Sequence, residues 1–342
     1  MNQADLNGRS VLVTGGAGFI GSELVRQLAA RGCHVQAVDN LSNGKGENLA
    51  DVAALNVELV VADVRDPESM ARRLQGIDLV YHLACLGVRH SIHSPTANFA
   101  VNADGTLNVL VQARAAGVRR FVHVSSSEVY GTARCVPMTE EHPTRPCTVY
   151  GAGKLAGESL ARAFYFSYGY PTVIVRPFNA FGPHCHHEGD SGEVIPKFLL
   201  RCLAGEPMVI FGDGSQSRDF TFVSDTARGI LLAGLVEAAV GETINLGSGR
   251  ETTIANLSRE IAAVCGRESA AVEHIEPRPG DVLRLCADST RAHQLLGFEA
   301  NVSLREGLRQ LRDWYSTLGQ APEHLLQQEV VRNWQPKEAS SG

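Results

Sequence analysis

A glycine-rich turn near the start of the chain constrains its fold more than any other feature. Gly15, Gly18 and Gly21 recur at three-residue spacing, after a β-branched run at 11–13 and before a helical pattern at 22–31. Glycines let the backbone turn tightly and approach phosphates, and the N–H groups at a helix start hold negative charge. Strand, turn and helix together predict a cradle for the pyrophosphate of a nucleotide cofactor.

Acidic residues after the next two strands narrow the choice of cofactor. Asp39 ends the strand predicted at 35–38, where a carboxylate accepts hydrogen bonds from the adenosine ribose hydroxyls. The same charge repels the 2′-phosphate of NADP, so the sequence favours NAD. Asp63 and Val64 follow the third strand, predicted at 57–61, where a carboxylate can meet the adenine amino group.

Composition excludes several classes of partner. The 342 residues carry a formal net charge of −6, which argues against nucleic acid or an anionic membrane as the main partner. The sequence has no apolar run of about eighteen residues that would predict a transmembrane helix, and its N-terminus lacks the features of a signal peptide. The eight cysteines form no Cys-x-x-Cys pair, so we expect reduced thiols, a cytoplasmic location and no metal site.

Strands and helices alternate through the first half of the chain. Strands are predicted at 79–83, 121–125 and 172–176, and helices at 67–75, 95–116 and 149–167. This βαβ rhythm predicts an α/β fold with a Rossmann-type doubly wound parallel sheet, whose ligands lie at the carboxyl ends of the strands. The second half predicts helices at 194–204, 225–236, 253–265, 289–296 and 303–317, with short strands near 209–211, 220–223 and 243–246.

The predicted domains follow this change of pattern. An NAD-binding Rossmann domain is expected at 1–178, and 218–246 is expected to return to it. A smaller α/β substrate-binding lobe is expected at 179–217 and 247–320. The remaining residues, 321–342, predict a polar tail with disordered parts.

A tyrosine and a lysine supply candidate acid–base chemistry. Tyr150 and Lys154 lie four residues apart near the start of a predicted helix, so they share one face. A nearby ammonium and a positive nicotinamide ring would lower the phenol's pKa from about 10. Such a tyrosine takes a proton from a sugar hydroxyl while hydride leaves the same carbon. Ser126, in a serine run that follows the fifth strand, can hydrogen-bond the reacting oxygen.

Eleven motifs occur in order over about residues 9–317. They are 14–21, Asp39-Asn40-Leu41-Ser42, Asp63-Val64, His82-Leu83-Ala84, Asn102, 124–131, Tyr150 to Lys154, Arg176-Pro177-Phe178-Asn179, Arg218-Asp219-Phe220, Asn245-Leu246-Gly247 and Arg278-Pro279-Gly280-Asp281. The ordered set resembles the extended short-chain dehydrogenase/reductase family, specifically its nucleotide-sugar epimerases and dehydratases.

The resemblance implies roles for individual residues. Ser126 would be the catalytic Ser/Thr, Tyr150 the acid/base, and Lys154 its partner. Tightly bound NAD would be contacted by Gly15, Gly18, Phe19, Ile20, Gly21, Asp39, Asn40, Ser42, Asp63, Val64, Leu83, Ala84, Asn102, Tyr150, Lys154 and Phe178. The substrate would be contacted by Arg89, Ser126, Asn179, Arg218, Arg278 and Asp281, with the last two arginines clamping a diphosphate.

The branch of the family depends on the step that comes after oxidation at C4 of the sugar. Glu128 resembles the glutamate of 4,6-dehydratases and uronate decarboxylases, whereas the stretches 87–95 and 212–225 resemble 4-epimerases. Arg89 either meets a uronate carboxylate or is a solvated loop charge. The sequence favours a 4-epimerase of a UDP-hexose or UDP-uronate that acts through a transient 4-keto intermediate. A 4,6-dehydratase or UDP-glucuronate decarboxylase that uses Glu128 is the alternative.

Further hypotheses concern the catalytic activity, the loop at 184–188 and the oligomeric state. A non-catalytic NAD-binding module is disfavoured by the intact catalytic residues, and an NADPH-dependent reductase by Asp39. The run 184–188, rich in histidine, is expected to contact the sugar, because adjacent ligands cannot all converge on one metal ion. As in its relatives, a homodimer through the helices at 95–116 and 149–167 is expected.

Overall fold

The computed structural model of the protein describes residues 6–278 and 280–334. Its strands are β1 (Ser10–Thr14), β2 (His34–Asp39), β3 (Val57–Val61), β4 (Leu79–His82), β5 (Arg120–Val124), β6 (Thr172–Pro177), β7 (Asn179–Phe181), β8 (Met208–Phe211), β9 (Ser217–Phe222), β10 (Thr243–Leu246), β11 (Glu251–Thr253) and β12 (Val272–Ile275). Seven of them form one parallel sheet in the order β10-β6-β5-β4-β1-β2-β3. The chain winds outward in both directions from β1 and β4, so their carboxyl ends open a crevice for a ligand.

Helices cover both faces of this sheet. They are α1 (Phe19–Ala29), α2 (Pro67–Arg73), α3 (Val88–His93), α4 (Pro95–Phe99), α5 (Thr106–Ala115), α6 (Val149–Tyr168), α7 (Val194–Ala204), α8 (Val223–Leu235), α9 (Ile254–Val264), α10 (Thr290–Leu296), α11 (Leu304–Thr317) and α12 (Pro322–Leu326). Successive strand residues point to opposite faces. Val11 and Val13 therefore pack with α1, α8 and α10, whereas Leu12 packs with α2, α5 and α6. The predicted doubly wound α/β fold is confirmed.

The helix predicted at 95–116 is interrupted in the structure. Pro95 begins α4, and a π-helical turn, Ala100–Gly105, separates α4 from α5. The turn directs the Asn102 side chain at Leu86, where its Oδ1 accepts from the backbone N–H at 3.0 Å and its Nδ2 donates to the carbonyl at 3.0 Å. π-helical turns of this kind are common at functional sites, and helical periodicity alone does not reveal them.

The second lobe has its own core. Helices α7, α9, α11 and α12 pack around β8, whose residues Met208 and Ile210 are buried. Strand β10 joins the main sheet beside β6, but β9 lies in a separate three-stranded sheet between β11 and β7. Sequence patterns did not predict α12 or the short strands β7, β11 and β12. Of the region predicted as a polar tail, residues up to 334 are described, and Trp334 packs edge-on against Phe211 at 5.0 Å.

Among residues 6–278 and 280–334, no helix combines the length and the apolar character that crossing a bilayer requires.

Candidate active site

A deep cleft of about 410 Å³ lies at the carboxyl ends of the central strands and continues into the second lobe. All four predicted catalytic residues and all six predicted substrate contacts line it. Of the predicted cofactor contacts, all but Asp63 and Asn102 line it. The topology therefore brings together residues that are far apart in sequence.

The glycine turn forms one end of the cleft. Gly15 has φ +68°, and a Cβ on it would lie 2.8 Å from the backbone nitrogen of Ala84. A Cβ on Gly21 would collide with the carbonyl oxygen of Gly15. Helix α1 begins directly after Gly18, so its unpaired N–H groups face this space. A cradle that only glycine permits, at a helix start, fits the pyrophosphate of a dinucleotide.

Asp39 lies beside this cradle in a fixed orientation. Its carboxylate accepts from the backbone N–H of Ala17 at 3.1 Å and of Leu41 at 2.8 Å. Burial raises the pKa of Asp39, although both backbone hydrogen bonds oppose that shift. A Cβ on Gly44 would lie 2.6 Å from the carboxylate. Because Gly44 carries no side chain, space for ribose hydroxyls remains next to the Asp39 carboxylate, whose orientation is fixed.

Asp63 and Asn102 lie behind the cleft wall and do not form part of it. Arg65 donates to both carboxylate oxygens of Asp63, at 2.9 and 2.7 Å, and holds its pKa well below the usual range. Asn40 donates to the same carboxylate at 3.1 Å. The Asn102 amide is bonded to Leu86 and to the side chain of Asn98. The chain's own hydrogen bonds thus orient both side chains, which the sequence assigned to the cofactor.

The candidate catalytic residues meet at the middle of the cleft. The Thr148 hydroxyl caps α6 by accepting from the N–H of Gly151 at 3.2 Å. This places Tyr150 in the first turn, where the neighbouring Ser126 hydroxyl lowers the pKa of its phenol. Lys154, one turn later and 2% exposed, donates to the carbonyl of Val124 at 2.9 Å. A phenol, a serine hydroxyl and an ammonium group are therefore held at the ends of α6 and β5.

The approach of α6 to the serine turn requires glycine. A Cβ on Gly151 would lie 2.7 Å from the carbonyl oxygen of Glu128. Because no side chain intervenes, the first turn of α6 can pack directly on residues 126–128. The distance between Tyr150 and Ser126 is thus set by backbone contact.

A buried ion pair fixes the same two elements from behind. Glu158, on α6, accepts from Arg176 at 2.8 and 2.6 Å and from the Ser125 hydroxyl at 2.6 Å. The side chains of Glu158 and Arg176 are 0% and 4% exposed. Removing one partner of such a pair costs about 3–5 kcal/mol. The serine end of β5 is thereby locked to the helix that carries Tyr150.

The pKa of Tyr150 differs from the sequence-based expectation. Burial raises it well above its usual value, negative charge at Cys85, Glu128 and Glu193 raises it further, and the neighbouring Ser126 hydroxyl lowers it. The predicted depression invoked the positive nicotinamide ring together with Lys154. The chain's own groups do not produce it, because desolvation of the phenolate outweighs the other effects.

Glu128 faces a cluster of arginines. Burial raises its pKa, and the positive charges of Arg218, Arg278 and Arg89 oppose the shift. Its backbone N–H donates to the Ser126 hydroxyl at 3.2 Å. The carboxyl is therefore a desolvated group in the cleft, close to the candidate catalytic centre.

Two arginines share one carboxylate at the outer end of the cleft. Arg218 and Arg278 donate to the same oxygen of Asp281, at 2.6 and 2.7 Å. Arginine forks recognise phosphate oxygens through charge-assisted hydrogen bonds. Nearby, the Asn179 Oδ1 is buried and has no hydrogen-bond partner among the described residues. This end of the cleft suits a ligand that carries a diphosphate.

Arg89 is already paired. It donates to both carboxylate oxygens of Glu193, at 3.1 and 3.4 Å. The sequence left Arg89 either as a partner for a uronate carboxylate or as a solvated charge. The structure shows a third arrangement, because the partner lies far away in the sequence.

Further cleft residues were missed by sequence patterns. They include 190–193, Lys197, Arg201, Glu329, Val331 and Asn333. No motif marks them, because long-range contacts bring them to the cleft. Of the run 184–188, only His186 lines it, whereas His184 packs against Trp314 at 5.1 Å and Glu188 pairs with Lys45 at 2.7 Å. The described part of the chain contains no group of three or more His, Cys, Asp or Glu side chains able to hold a metal ion.

Comparison with known proteins identifies the family. The matching family model, over residues 11–247, is the NAD dependent epimerase/dehydratase family. A UDP-glucose 4-epimerase of Mycolicibacterium smegmatis is 37% identical over 318 residues, covering 90% of this chain and 99% of that protein. A dTDP-glucose 4,6-dehydratase of Streptomyces niveus is 35% identical over 89% of this chain and 92% of its own. The crystal structure of a Thermotoga maritima UDP-glucose 4-epimerase with UDP-glucose has a TM-score of 0.86 and 34% identity, covering 91% of this chain and 100% of that one.

These similarities agree with the geometry of the cleft. The matched range 11–247 includes the glycine cradle, Asp39 and the Tyr150–Lys154 pair. An epimerase and a dehydratase match to nearly the same extent. The resemblance inferred from the ordered motifs is therefore confirmed: the chain belongs to the NAD-dependent epimerase/dehydratase family.

Proposed function

We propose that the protein is a nucleotide-sugar 4-epimerase that acts on a UDP-hexose through a transient 4-keto sugar. The observation that carries this proposal is that Tyr150, Ser126 and Lys154 line one cleft together with the glycine cradle and the Arg218–Asp281–Arg278 group. A nucleotide sugar anchored by its diphosphate at the arginines extends its sugar toward this hydroxyl pair. The similarity to UDP-glucose 4-epimerases supports the choice of branch.

The chain's residues divide the work of oxidation and reduction. Tyr150 would remove the proton of the sugar 4-hydroxyl, and Ser126 would donate a hydrogen bond to the reacting oxygen. Because burial raises the pKa of Tyr150, its phenolate depends on positive charge from Lys154 and from the nicotinamide ring. The glycine cradle and Asp39 would hold NAD, which would supply the hydride acceptor and donor for C4, and the ketone would turn between the two transfers. Tyr150 then gives the proton back to the C4 oxygen, so no net oxidation occurs and NAD is retained.

The pairing of Arg89 favours a neutral hexose over a uronate. Glu193 already neutralises the guanidinium with two hydrogen bonds. A uronate carboxylate would have to displace Glu193 from both hydrogen bonds, whereas a neutral hexose leaves this pair intact. Of the two substrates that the sequence allows, a UDP-uronate is therefore less favoured than a UDP-hexose.

A 4,6-dehydratase is the second candidate, and Glu128 favours it. A carboxyl whose pKa is raised by burial, beside Tyr150, has the character of a general acid/base. In a dehydratase it would remove the C5 proton before water leaves C6. Glu128→Gln should leave most of an epimerase's rate intact and should remove nearly all of a dehydratase's.

Product masses test the proposal directly. The purified protein is incubated with UDP-, dTDP- and GDP-sugars, including UDP-glucose, UDP-galactose and UDP-glucuronate. We expect an isobaric product from a UDP-hexose. Loss of water would establish the dehydratase, loss of carbon dioxide would establish the decarboxylase, and no conversion of any nucleotide sugar would overturn all three.

We also propose a homodimer through the helices at 95–116 and 149–167. Leu107 and Val111, one turn apart on α5, are 39% and 44% exposed, and Phe99 on α4 and Phe166 on α6 are 41% and 75% exposed. Apolar side chains exposed on neighbouring helices suit a protein interface. Light scattering measures the mass in solution, and Val111→Glu should shift a dimer toward monomer.

A further inference from the structure

The segment after α12 lies along the outer edge of the cleft. We call residues 328–334 the strap. Its alternate residues Glu329, Val331 and Asn333 line the cleft, whereas Arg332 is exposed and pairs with Glu276. One side of the strap thus belongs to the cleft wall and the other side to solvent.

The strap is hydrogen-bonded to a loop that forms part of the cleft wall. We call residues 189–193 the rim loop, and 190–193 line the cleft. The Gly189 N–H donates to the carbonyl of Gln328 at 3.0 Å. The Asn333 side chain, 3% exposed, donates through Nδ2 to the carbonyls of Gly192 at 3.2 Å and Asp190 at 3.4 Å. Backbone groups of the rim loop are therefore bonded to the strap at both ends.

Helix α3 contacts the rim loop through side chains other than those of the strap. Arg89 donates to Glu193, and the ring of His93 is 3.0 Å from the Asp190 carboxylate. The loop is thus held between α3 and the strap. Its last residue is also bonded to the preceding segment, because the Glu193 N–H donates to the carbonyl of His186 at 2.7 Å.

Helix α7 in turn fixes the strap. Lys197 donates to the carbonyl of Val330 at 2.8 Å, and Arg201 donates to Glu329 at 2.9 Å. The Glu329 side chain is 6% exposed. Trp334 packs on Phe211, which also lines the cleft. These contacts hold the strap at the end of the cleft that is away from the glycine cradle.

The rim loop reaches the candidate catalytic centre. Glu193, its last residue, lines the same cleft as Tyr150 and Ser126, and its carboxylate raises the pKa of the Tyr150 phenol. A sugar placed at Tyr150 would therefore lie under this loop. The diphosphate site at Arg218 and Arg278 borders the same part of the cleft.

We propose that the strap is a positioning element for the substrate: it holds the rim loop over the sugar, so that nucleotide-sugar affinity depends on residues 328–334. The inference rests on the proposed function. It assigns Asn333 the central role, because one amide bonds two carbonyls of the rim loop. NAD affinity should be independent of it, since the glycine cradle lies at the other end of the cleft.

The test compares Asn333→Ala with Arg332→Ala, its solvent-facing neighbour, both as full chains loaded with NAD. Loss of two hydrogen bonds should speed amide hydrogen exchange at 189–193 by about ten-fold and raise the KM for the UDP-hexose by about ten-fold. Arg332→Ala should change neither. The NAD dissociation constant and the melting temperature of Asn333→Ala should stay close to those of the unsubstituted chain.

A second pair of variants examines the strap as a unit. A chain that stops after Gln327 should show the same selective rise in KM, whereas one that stops after Trp334 should not. Unchanged exchange at 189–193, an unchanged KM, or an equal loss of NAD affinity in Asn333→Ala would overturn the inference. Failure of the unsubstituted chain to bind any UDP-, dTDP- or GDP-sugar would instead refute the proposed function, which separates the two failures.

Discussion

The two ends of the cleft are built in different ways. The cofactor end depends on backbone shape: Gly15 and Gly21 leave room where a side chain would collide, and Asp39 is oriented by backbone N–H groups. The substrate end depends on side chains from distant segments, such as the Arg89–Glu193 pair and the strap. Local backbone geometry needs a short contiguous motif, whereas long-range pairs leave no motif in the sequence.

Changing Gly21 tests the backbone-built end and should have the largest effect. Gly21→Val places a branched side chain against the carbonyl of Gly15 and closes the cradle. We expect NAD binding, and with it all turnover, to be lost, as measured by bound NAD after purification. Glu23→Ala, in the same helix and away from the cleft, serves as the control. A Gly21→Val protein that retains NAD would break the comparison.

Changing Tyr150 tests the point where the two ends meet. Tyr150→Phe removes the group that moves the proton, so turnover should fall by about 10²–10⁴-fold. NAD should stay bound, because the cradle is untouched. Two quantities are measured: the turnover rate with the preferred UDP-hexose, and the amount of NAD bound to the purified protein. Turnover close to that of the unsubstituted chain would refute the assigned role.

Changing Arg278 tests the side-chain-built end. Arg278→Met removes one charged donor to the diphosphate, and one such hydrogen bond contributes about 1.5–3 kcal/mol. We expect KM to rise by roughly 10–100-fold with little change in NAD affinity. Arg250→Met, which does not line the cleft, is the matched control. A fall in NAD affinity as large as the rise in KM would show that the two ends are not separable.

The pH dependence of stability tests the contact between the two halves. His184 lies next to Asn48 and Arg26, in the cofactor half, and burial lowers its pKa to about 4. Between the ordinary pKa of about 6.5 and this value, the unfolded chain binds a proton that the folded chain does not, so stability falls as pH falls. The loss begins near pH 6.5 and is complete near pH 4.

Melting temperatures between pH 7 and pH 4 measure this effect, which should be the smallest of the four. His184→Asn keeps a residue type that tolerates φ +66° and removes the titrating group. We expect a shallower decline between pH 6.5 and 5 than in the unsubstituted chain. His34→Asn, on an exposed position of β2, is the control. An identical decline in His184→Asn would exclude His184 as its source.

Sequence patterns predicted the fold and the glycine turn of the cofactor end, because both depend on local sequence. The βαβ rhythm predicts the main sheet, and the glycine spacing predicts the cradle. The interruption of the helix at 95–116 was not predictable, because a π-helical turn changes hydrogen bonding without changing composition. Asn102, which the sequence assigns to the cofactor, is hydrogen-bonded to Leu86 and Asn98, and sequence patterns did not predict these bonds.

The substrate end shows why the rest could not be predicted. Glu193 and Asn333 acquire their positions only after two lobes and a C-terminal segment have packed together. Their residue types are ordinary for a surface, and nothing nearby in sequence marks them. The strap at 328–334 falls in the region predicted as a polar tail, because a segment that packs through alternate residues has too little apolar content to predict order.

The π-helical turn has a consequence for redesign of this chain. Its extra residue shifts the helical phase by about 100°, which turns Asn102 toward Leu86. Deleting one residue there, for instance Val101, would convert 95–115 into a regular helix with better internal hydrogen bonding. The same deletion would swing Asn102 away from the loop at Leu86, which lines the cleft. A shorter, more regular chain would thus gain helix stability and lose the hydrogen bonds between Asn102 and Leu86. The π-helical turn should therefore be kept in engineered variants.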